Sequence, residues 1–413
     1  MIKFNKFTLS NGLRVIHHKD DSTPIVAFNI LFDVGAKDEN IDKTGFAHLF
    51  EHLMFGGSAN IENFDTPLQL AGGQSNAFTS NDITNYYSTL PKDNLETAFW
   101  LDSDRLNQLA FTPKSLEVQR SVVIEEFKQR YLNQPYGDVW LLLRPLAYKK
   151  HPYQWATIGK EIKHIEDATM EDVKAFFYKH YGPQNAILCV AGNVELDSIE
   201  ALSKKWFEGI DERTLYQRNL PVEPEQIEYR ELTVERDVPN DALYMAFHMP
   251  DRRSRDYYVA DLISDILSRG QSSRLYKEYV MEDPKFNDIH AYVSGSMERG
   301  LFVFSGNPAD GVSMKESQDL IWKSIEQMKL ELVSERELEK VKNKVESSNV
   351  FGEMSVLNKA MSLCFYELLG DAEKINEEVG IYNSITPSDI QRVANEIFKK
   401  SNCSVLNYLA KKK

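Results

Sequence analysis

Gly45-Phe46-Ala47-His48-Leu49-Phe50-Glu51-His52-Leu53-Met54-Phe55-Gly56-Gly57 sets two histidines one helical turn apart inside an apolar run that two glycines close. The spacing predicts a helix over 46–55, capped by Asp42 or Thr44 and stopped by Gly56-Gly57. Residues four apart share a helix face, so the His48 and His52 imidazoles reach one ion, with Glu51 at the rim beside them. Two neutral imidazoles and one carboxylate suit a catalytic Zn2+, one per chain, and leave a fourth position for a water molecule whose pKa the metal lowers to about 7. Glu51 is then placed to take that water's proton and to pass it to a leaving amine. Phe46, Leu49, Phe50, Leu53 and Phe55 imply burial on most sides, where imidazoles without a partner are costly, so a ligand role is favoured over two core histidines. A third ligand has to come from elsewhere. The helix Leu116-Glu117-Val118-Gln119-Arg120-Ser121-Val122-Val123-Ile124-Glu125-Glu126-Phe127 embeds an acidic pair among apolar residues, and Glu125 and Glu126 are equal candidates on spacing alone.

Outward from these segments, Leu13-Arg14-Val15-Ile16-His17-His18 and Ile25-Val26-Ala27-Phe28-Asn29-Ile30-Leu31-Phe32 read as two strands paired with each other across Asp20-Asp21-Ser22-Thr23-Pro24. Further helices are predicted over about 93–109, 114–132 and 170–178, and a buried strand at Ala186-Ile187-Leu188-Cys189-Val190-Ala191. Apolar periodicity lapses from about 211 to 228, where Pro221 and Pro224 sit among charged residues. It resumes with a strand at Ala242-Leu243-Tyr244-Met245-Ala246-Phe247, a helix over about 257–267 and a strand at Leu301-Phe302-Val303-Phe304-Ser305. Ala168-Thr169-Met170-Glu171-Asp172-Val173 is echoed by Ile385-Thr386-Pro387-Ser388-Asp389-Ile390 roughly 220 residues on, each a Thr-capped helix start near the end of its half. The pattern predicts an α+β chain of two homologous domains. One is 1–215, which holds the metal motif; the other is 229–413, which lacks it; 216–228 is the linker.

A formal charge of −14, with no Lys/Arg stripe to offset it, argues against a nucleic-acid partner. No run of about 18–20 uncharged apolar residues is present, so no membrane-spanning helix is expected. Cys189, Cys364 and Cys403 are few, odd in number and widely spaced, which implies no disulfide framework. Met1-Ile2-Lys3-Phe4-Asn5-Lys6-Phe7-Thr8 is no secretory signal, so the expected compartment is the cytoplasm, or the periplasm if a leader precedes this sequence.

Together these residues resemble the inverted zinc-peptidase motif of the pitrilysin, insulin-degrading enzyme and mitochondrial-processing-peptidase family, in its short bacterial branch. The resemblance covers Leu9-Ser10-Asn11-Gly12-Leu13, the histidine helix, Gly72-Gly73-Gln74-Ser75-Asn76-Ala77-Phe78-Thr79, the acidic helix, and His151-Pro152-Tyr153 through Ile158-Gly159. It resumes more weakly at Gln271-Ser272-Ser273-Arg274-Leu275-Tyr276. It implies two domains, each a mostly antiparallel sheet packed with helices, of the LuxS/MPP-like metallopeptidase type. The implied activity is that of a zinc metalloendopeptidase acting on extended or unfolded peptides in a chamber closed by two clam-like halves. The third ligand is by the same resemblance Glu126, which closes the pattern Arg-x-Val-Val-x-x-Glu begun at Arg120. Asn76 and Ala77 match a strand that pairs with the substrate backbone beside the metal.

Two departures stand out. Gln119 occupies a position where relatives often carry a glutamate. An Arg and a Tyr seven residues apart, which hold the substrate carbonyl in relatives that work alone or as homodimers, fall here on Val280 and Asn287, with Arg274, Tyr279 and Tyr292 nearby in other registers. Certain bacterial members are similar to this pattern: a zinc-bearing subunit that lacks the pair combines with a metal-free subunit that supplies it. The resemblance therefore implies a heterodimer with such a subunit, otherwise a homodimer, and poor hydrolysis by the isolated chain. Two other readings are a non-catalytic assembly or scaffold subunit, which an undamaged metal motif disfavours, and hydrolysis of some other amide or ester.

Overall fold

Runs rich in β-branched and aromatic residues become strands of two separate sheets in the computed structural model, which describes residues 1–214, 216–295 and 297–411. The first sheet contains β1 (Asn5–Thr8), β2 (Arg14–Lys19), β3 (Ile25–Phe32), β4 (Gln74–Thr79), β5 (Thr84–Pro91) and β6 (Ala186–Gly192), in the spatial order β1-β2-β6-β3-β5-β4. β2 and β3 are therefore not paired with each other, contrary to the expectation from their proximity in sequence. The fully buried strand β6 lies between them, parallel to β2 and antiparallel to β3. A strand with no polar face gains most where neighbours pair both its edges and helices cover both its faces, and that demand outweighs the short connection.

The second sheet contains β7 (Arg230–Arg236), β8 (Ala242–Met249), β9 (Phe286–Ser294), β10 (Gly300–Pro308) and β11 (Cys403–Ala410), in the order β7-β11-β8-β10-β9. Adding five to each label of β2-β6-β3-β5-β4 reproduces it, down to the single parallel pair, β7 with β11. The echo at Thr169 and Thr386 is part of the same duplication. Each threonine forms a reciprocal capping box, with Asp172 or Asp389, at the start of the helix that leads into β6 or β11.

The chain divides into two units, neither continuous in sequence. One comprises Met1–Gln129, Trp155–Leu220 and Val350–Glu377; the other comprises Arg130–Gln154, Pro221–Asn349 and the chain from Glu378 onward. In the first unit the helix Val356–Leu368 buries Val356, Ala360, Leu363 and Cys364 against Ile16, Leu31 and Ile187 of the first sheet. In the second, the helix Val139–Ala147 buries Val139, Leu143 and Ala147 against Ala246, Val303 and Leu406. Each sheet thus has a face covered by a helix drawn from the other half of the sequence. No helix among the described residues is long and apolar enough to cross a membrane.

Candidate metal centre

The histidine helix, Phe46–Leu53, starts from Gly45 at φ +88°, a left-handed conformation that favours glycine. A Cβ at that position would also lie 2.7 Å from the Ile158 carbonyl oxygen. Neither expected cap serves. Asp42 is exposed, and Thr44 Oγ1 instead lies 2.8 Å from His164 Nδ1 and accepts from the Lys160 N–H at 2.8 Å. The capping group is Glu39, whose buried carboxylate accepts from the N–H groups of Gly45 and Ala47, both at 2.8 Å, and from Trp155 Nε1 at 3.1 Å. Burial pushes the Glu39 carboxyl up to about 8, against the opposing pull of those three donors. On the buried side Phe50 stacks on Phe176 and Tyr181, with centroids 5.0 and 5.2 Å apart, and the Tyr86 hydroxyl donates to the Phe50 carbonyl at 3.2 Å.

Held in this way, the helix sends His48 and His52 to one side, their ring centroids 4.9 Å apart. The acidic helix, Pro113–Phe127, is capped by Thr112 and moored by hydrogen bonds from Arg120 to the carbonyls of Ile165 and Ala168. It ends by bringing Glu126 Oε2 to 3.5 Å from His48 Nε2 and 3.4 Å from His52 Nε2. A tetrahedral ion with bonds of about 2.0–2.1 Å spaces its ligand atoms about 3.4 Å apart. The donor set and its spacing therefore fit zinc. The three side chains are 12%, 23% and 18% exposed in the order His48, His52, Glu126, so the group is shielded but reachable. Glu125 is turned to solvent and paired with Lys128 at 2.7 Å. Among the described residues this is the one group of three or more His, Cys, Asp or Glu side chains able to hold a metal.

Glu51 stands beside the group, and its Oε2 accepts a hydrogen bond from Thr79 Oγ1 at 2.6 Å. Thr79 is the last residue of β4, so the carboxylate is tied to the strand that carries Asn76 and Ala77. β4 is an edge of its sheet, paired with β5 alone. The N–H of Ala77 donates to the Asn76 side-chain oxygen at 2.8 Å, outside the ladder with β5. Three contributors were not read from the sequence: Glu39, Trp155 and Thr79. Thr79 closes a stretch already singled out, whereas Glu39 is one acid in a charged segment and no spacing rule links it to a helix that begins seven residues later.

In the second unit Val280 packs against the core, and Asn287 donates to the Pro308 carbonyl at 3.2 Å. Arg274 makes a two-pronged ion pair with Glu337, at 2.8 and 2.6 Å, and Tyr279 is buried with its hydroxyl 3.0 Å from the Leu320 carbonyl. Those side chains are committed to the fold. Tyr292 is half-buried on the edge strand β9, and Gln119 is half-buried on the acidic helix.

Known proteins share this architecture. Residues 14–159 match the family Insulinase (Peptidase family M16), and residues 167–345 match the Peptidase M16 inactive domain. The sequence is 29% identical over 414 aligned residues to the zinc protease PqqE of Helicobacter pylori, covering 98% of this chain and 92% of that protein. The crystal structure of a protease from Helicobacter pylori is similar with a TM-score of 0.93 at 28% identity, over 99% of this chain and all 100% of that one. A Pseudomonas fluorescens structure named for the M16 inactive domain has the same fold, with a TM-score of 0.89 at 17% identity, over 100% of this chain and 98% of that one. Two family matches spanning both halves, and relatives aligned from end to end, establish that this chain belongs to the M16 (insulinase) family of peptidases.

Proposed function

We propose that this chain is the metal-bearing catalytic subunit of a zinc endopeptidase that cleaves extended or unfolded peptides. The observation that carries this reading is the convergence of His48 Nε2, His52 Nε2 and Glu126 Oε2 at 3.4–3.5 Å beside a helix that also presents Glu51. His48, His52 and Glu126 are the ligands, and a zinc ion held by them would supply Lewis acidity toward water and a scissile carbonyl. Glu51 takes the proton of the attacking water and delivers it to the departing amine. Thr79 holds one oxygen of that carboxylate, which directs the other to the proton. Asn76 and Ala77 lie on an open sheet edge, where a substrate backbone can add as a further strand and bind with little regard to its side chains.

A partner subunit fits the second unit's chemistry. Val280 and Asn287 offer neither guanidinium nor phenol, and Arg274 and Tyr279 are engaged elsewhere. A metal-free homologous subunit that supplies such groups and encloses the substrate makes a heterodimer the favoured assembly, with a homodimer as the alternative and the cytoplasm as the proposed compartment. One rival is a non-catalytic assembly subunit, although the domain named inactive matches only 167–345, and the proposed ligands lie within 14–159. Metal analysis and digestion of a peptide library by the full chain, with and without the metal-free subunit, separate the two. The expected result is one zinc per chain, weak hydrolysis alone and strong hydrolysis with the partner. Glu51→Gln should keep the zinc and lose at least about 100-fold in turnover. Turnover unchanged by that substitution would remove Glu51 from the role, and a chain that takes up no zinc would remove the peptidase reading altogether.

A further inference from the structure

We infer that Glu39 is a positioning residue for the metal centre: its buried carboxylate replaces the side-chain cap that the histidine helix lacks and sets the register from which His48 and His52 converge. The inference rests on the metal-binding reading above and adds a residue to it.

The histidine helix has eight residues, too few to be stable without support, and its N-cap is a glycine with no side chain to offer. His48 is its third residue and so belongs to the first turn, the part that frays when backbone N–H groups go unsatisfied. Glu39 meets that need from outside the helix. Its two oxygens divide the work: Oε1 accepts from Ala47 N–H and Oε2 from Gly45 N–H, each at 2.8 Å. Two bonds to two oxygens fix the rotation as well as the position of the first turn, and one of them ends on the residue next to His48. The carboxylate is itself pinned. Trp155, only 4% exposed, donates its indole N–H to Glu39 Oε2 at 3.1 Å and to the Ala36 carbonyl at 2.9 Å.

The geometry of a metal site tolerates errors of about 0.5 Å. His52 lies in the last turn and is held by the packing of Phe50 and the neighbouring core, whereas His48 depends on the first turn. Loosening the cap therefore opens the distance between the two imidazoles instead of shifting both together. Glutamine at position 39 has the same shape but one acceptor oxygen. Its NH2 would face a backbone N–H that now meets an oxygen.

The test uses the full chain, with Zn2+ affinity measured by chelator competition and Co2+ absorption as a report of ligand geometry. Glu39→Gln is expected to bind Zn2+ about tenfold more weakly, the loss typical of groups that orient metal ligands. Its Co2+ band should be altered even at saturating cobalt, which a drop in global stability alone would not do. Trp155→Phe should weaken binding in the same direction by less. If the unaltered chain binds neither ion, the metal-centre reading fails. If it binds both and a folded Glu39→Gln matches it in affinity and spectrum, the positioning role is overturned. Should Glu39→Gln not fold, Trp155→Phe decides the matter, and an unchanged affinity and spectrum in that variant overturns the inference.

Discussion

Glu125 and Glu126 are neighbours on one helix, separated by a rotation of about 100°, and they lead different lives. Glu125 faces water and pairs with Lys128, whereas Glu126 lies between two imidazoles. Spacing within the acidic helix left the pair open, because what separates them is where a second helix crosses, and no local pattern records that. The contrast makes a sharp test of the proposed ligand set. Glu126→Gln should weaken zinc binding by more than about 100-fold, beyond the usual cost of an outer-shell change. Glu125→Gln should leave it unaltered, since it removes only an exposed ion pair of the kind that contributes little. Equal zinc content in the two variants after dialysis against a chelator would discard Glu126 as a ligand. Glu39 illustrates the reverse case, a residue of no apparent note in the sequence that folding brings to the start of the histidine helix.

At the scale of elements, the two devices that matter most are a short helix without its own cap and a strand without an outer neighbour. β4 presents an edge beside Glu51, and the Ala77 N–H is held by the Asn76 side chain instead of by the sheet. Edge strands tolerate proline where the N–H is not needed by the ladder, so Ala77→Pro removes one outward donor while leaving β5 its pairing. One backbone hydrogen bond contributes about 0.5–1.5 kcal/mol, which corresponds to an increase in KM of about two- to tenfold for a peptide substrate, with zinc content unchanged. Steady-state kinetics with the partner subunit present would check this, and an unaltered KM would count against strand addition at β4. Helix and strand types were largely legible, since the apolar periods of 46–55, 170–178 and 186–191 match what forms. Pairing was not. β2 and β3 are near in sequence yet separated by β6, because the fully buried strand takes a place in the interior of the sheet.

At the scale of the molecule, each unit is completed by a helix from the other half of the sequence. The helix Val356–Leu368 buries four core residues on the first sheet. A fully buried Val or Leu contributes about 1.5–3 kcal/mol, so this one helix carries a stabilisation comparable with the whole net stability of about 5–15 kcal/mol typical of a domain. A fragment of residues 1–215 should therefore fail to unfold cooperatively and should bind a hydrophobic dye. A peptide spanning 350–377, added in trans, should restore a cooperative transition seen by circular dichroism. Cooperative unfolding of 1–215 by itself would show that the first sheet does not need that cover.

The sequence alone determined the chemistry on offer, because the two histidines, Glu51 and the acidic pair are bound to helical period and so to one another within each element. It also determined the α+β duplication, because strand and helix periods and the Thr169 and Thr386 caps are local. Tertiary structure brought to the histidines the acid that helical spacing had left open and the family resemblance had named, Glu126, and it alone decided what caps their helix, which strands are neighbours and which helix covers which sheet. All but the cap, which Glu39 supplies from six to eight residues away, depend on contacts between segments far apart in the chain. A periodic pattern states that a face will be buried, but it carries no address for the surface that buries it.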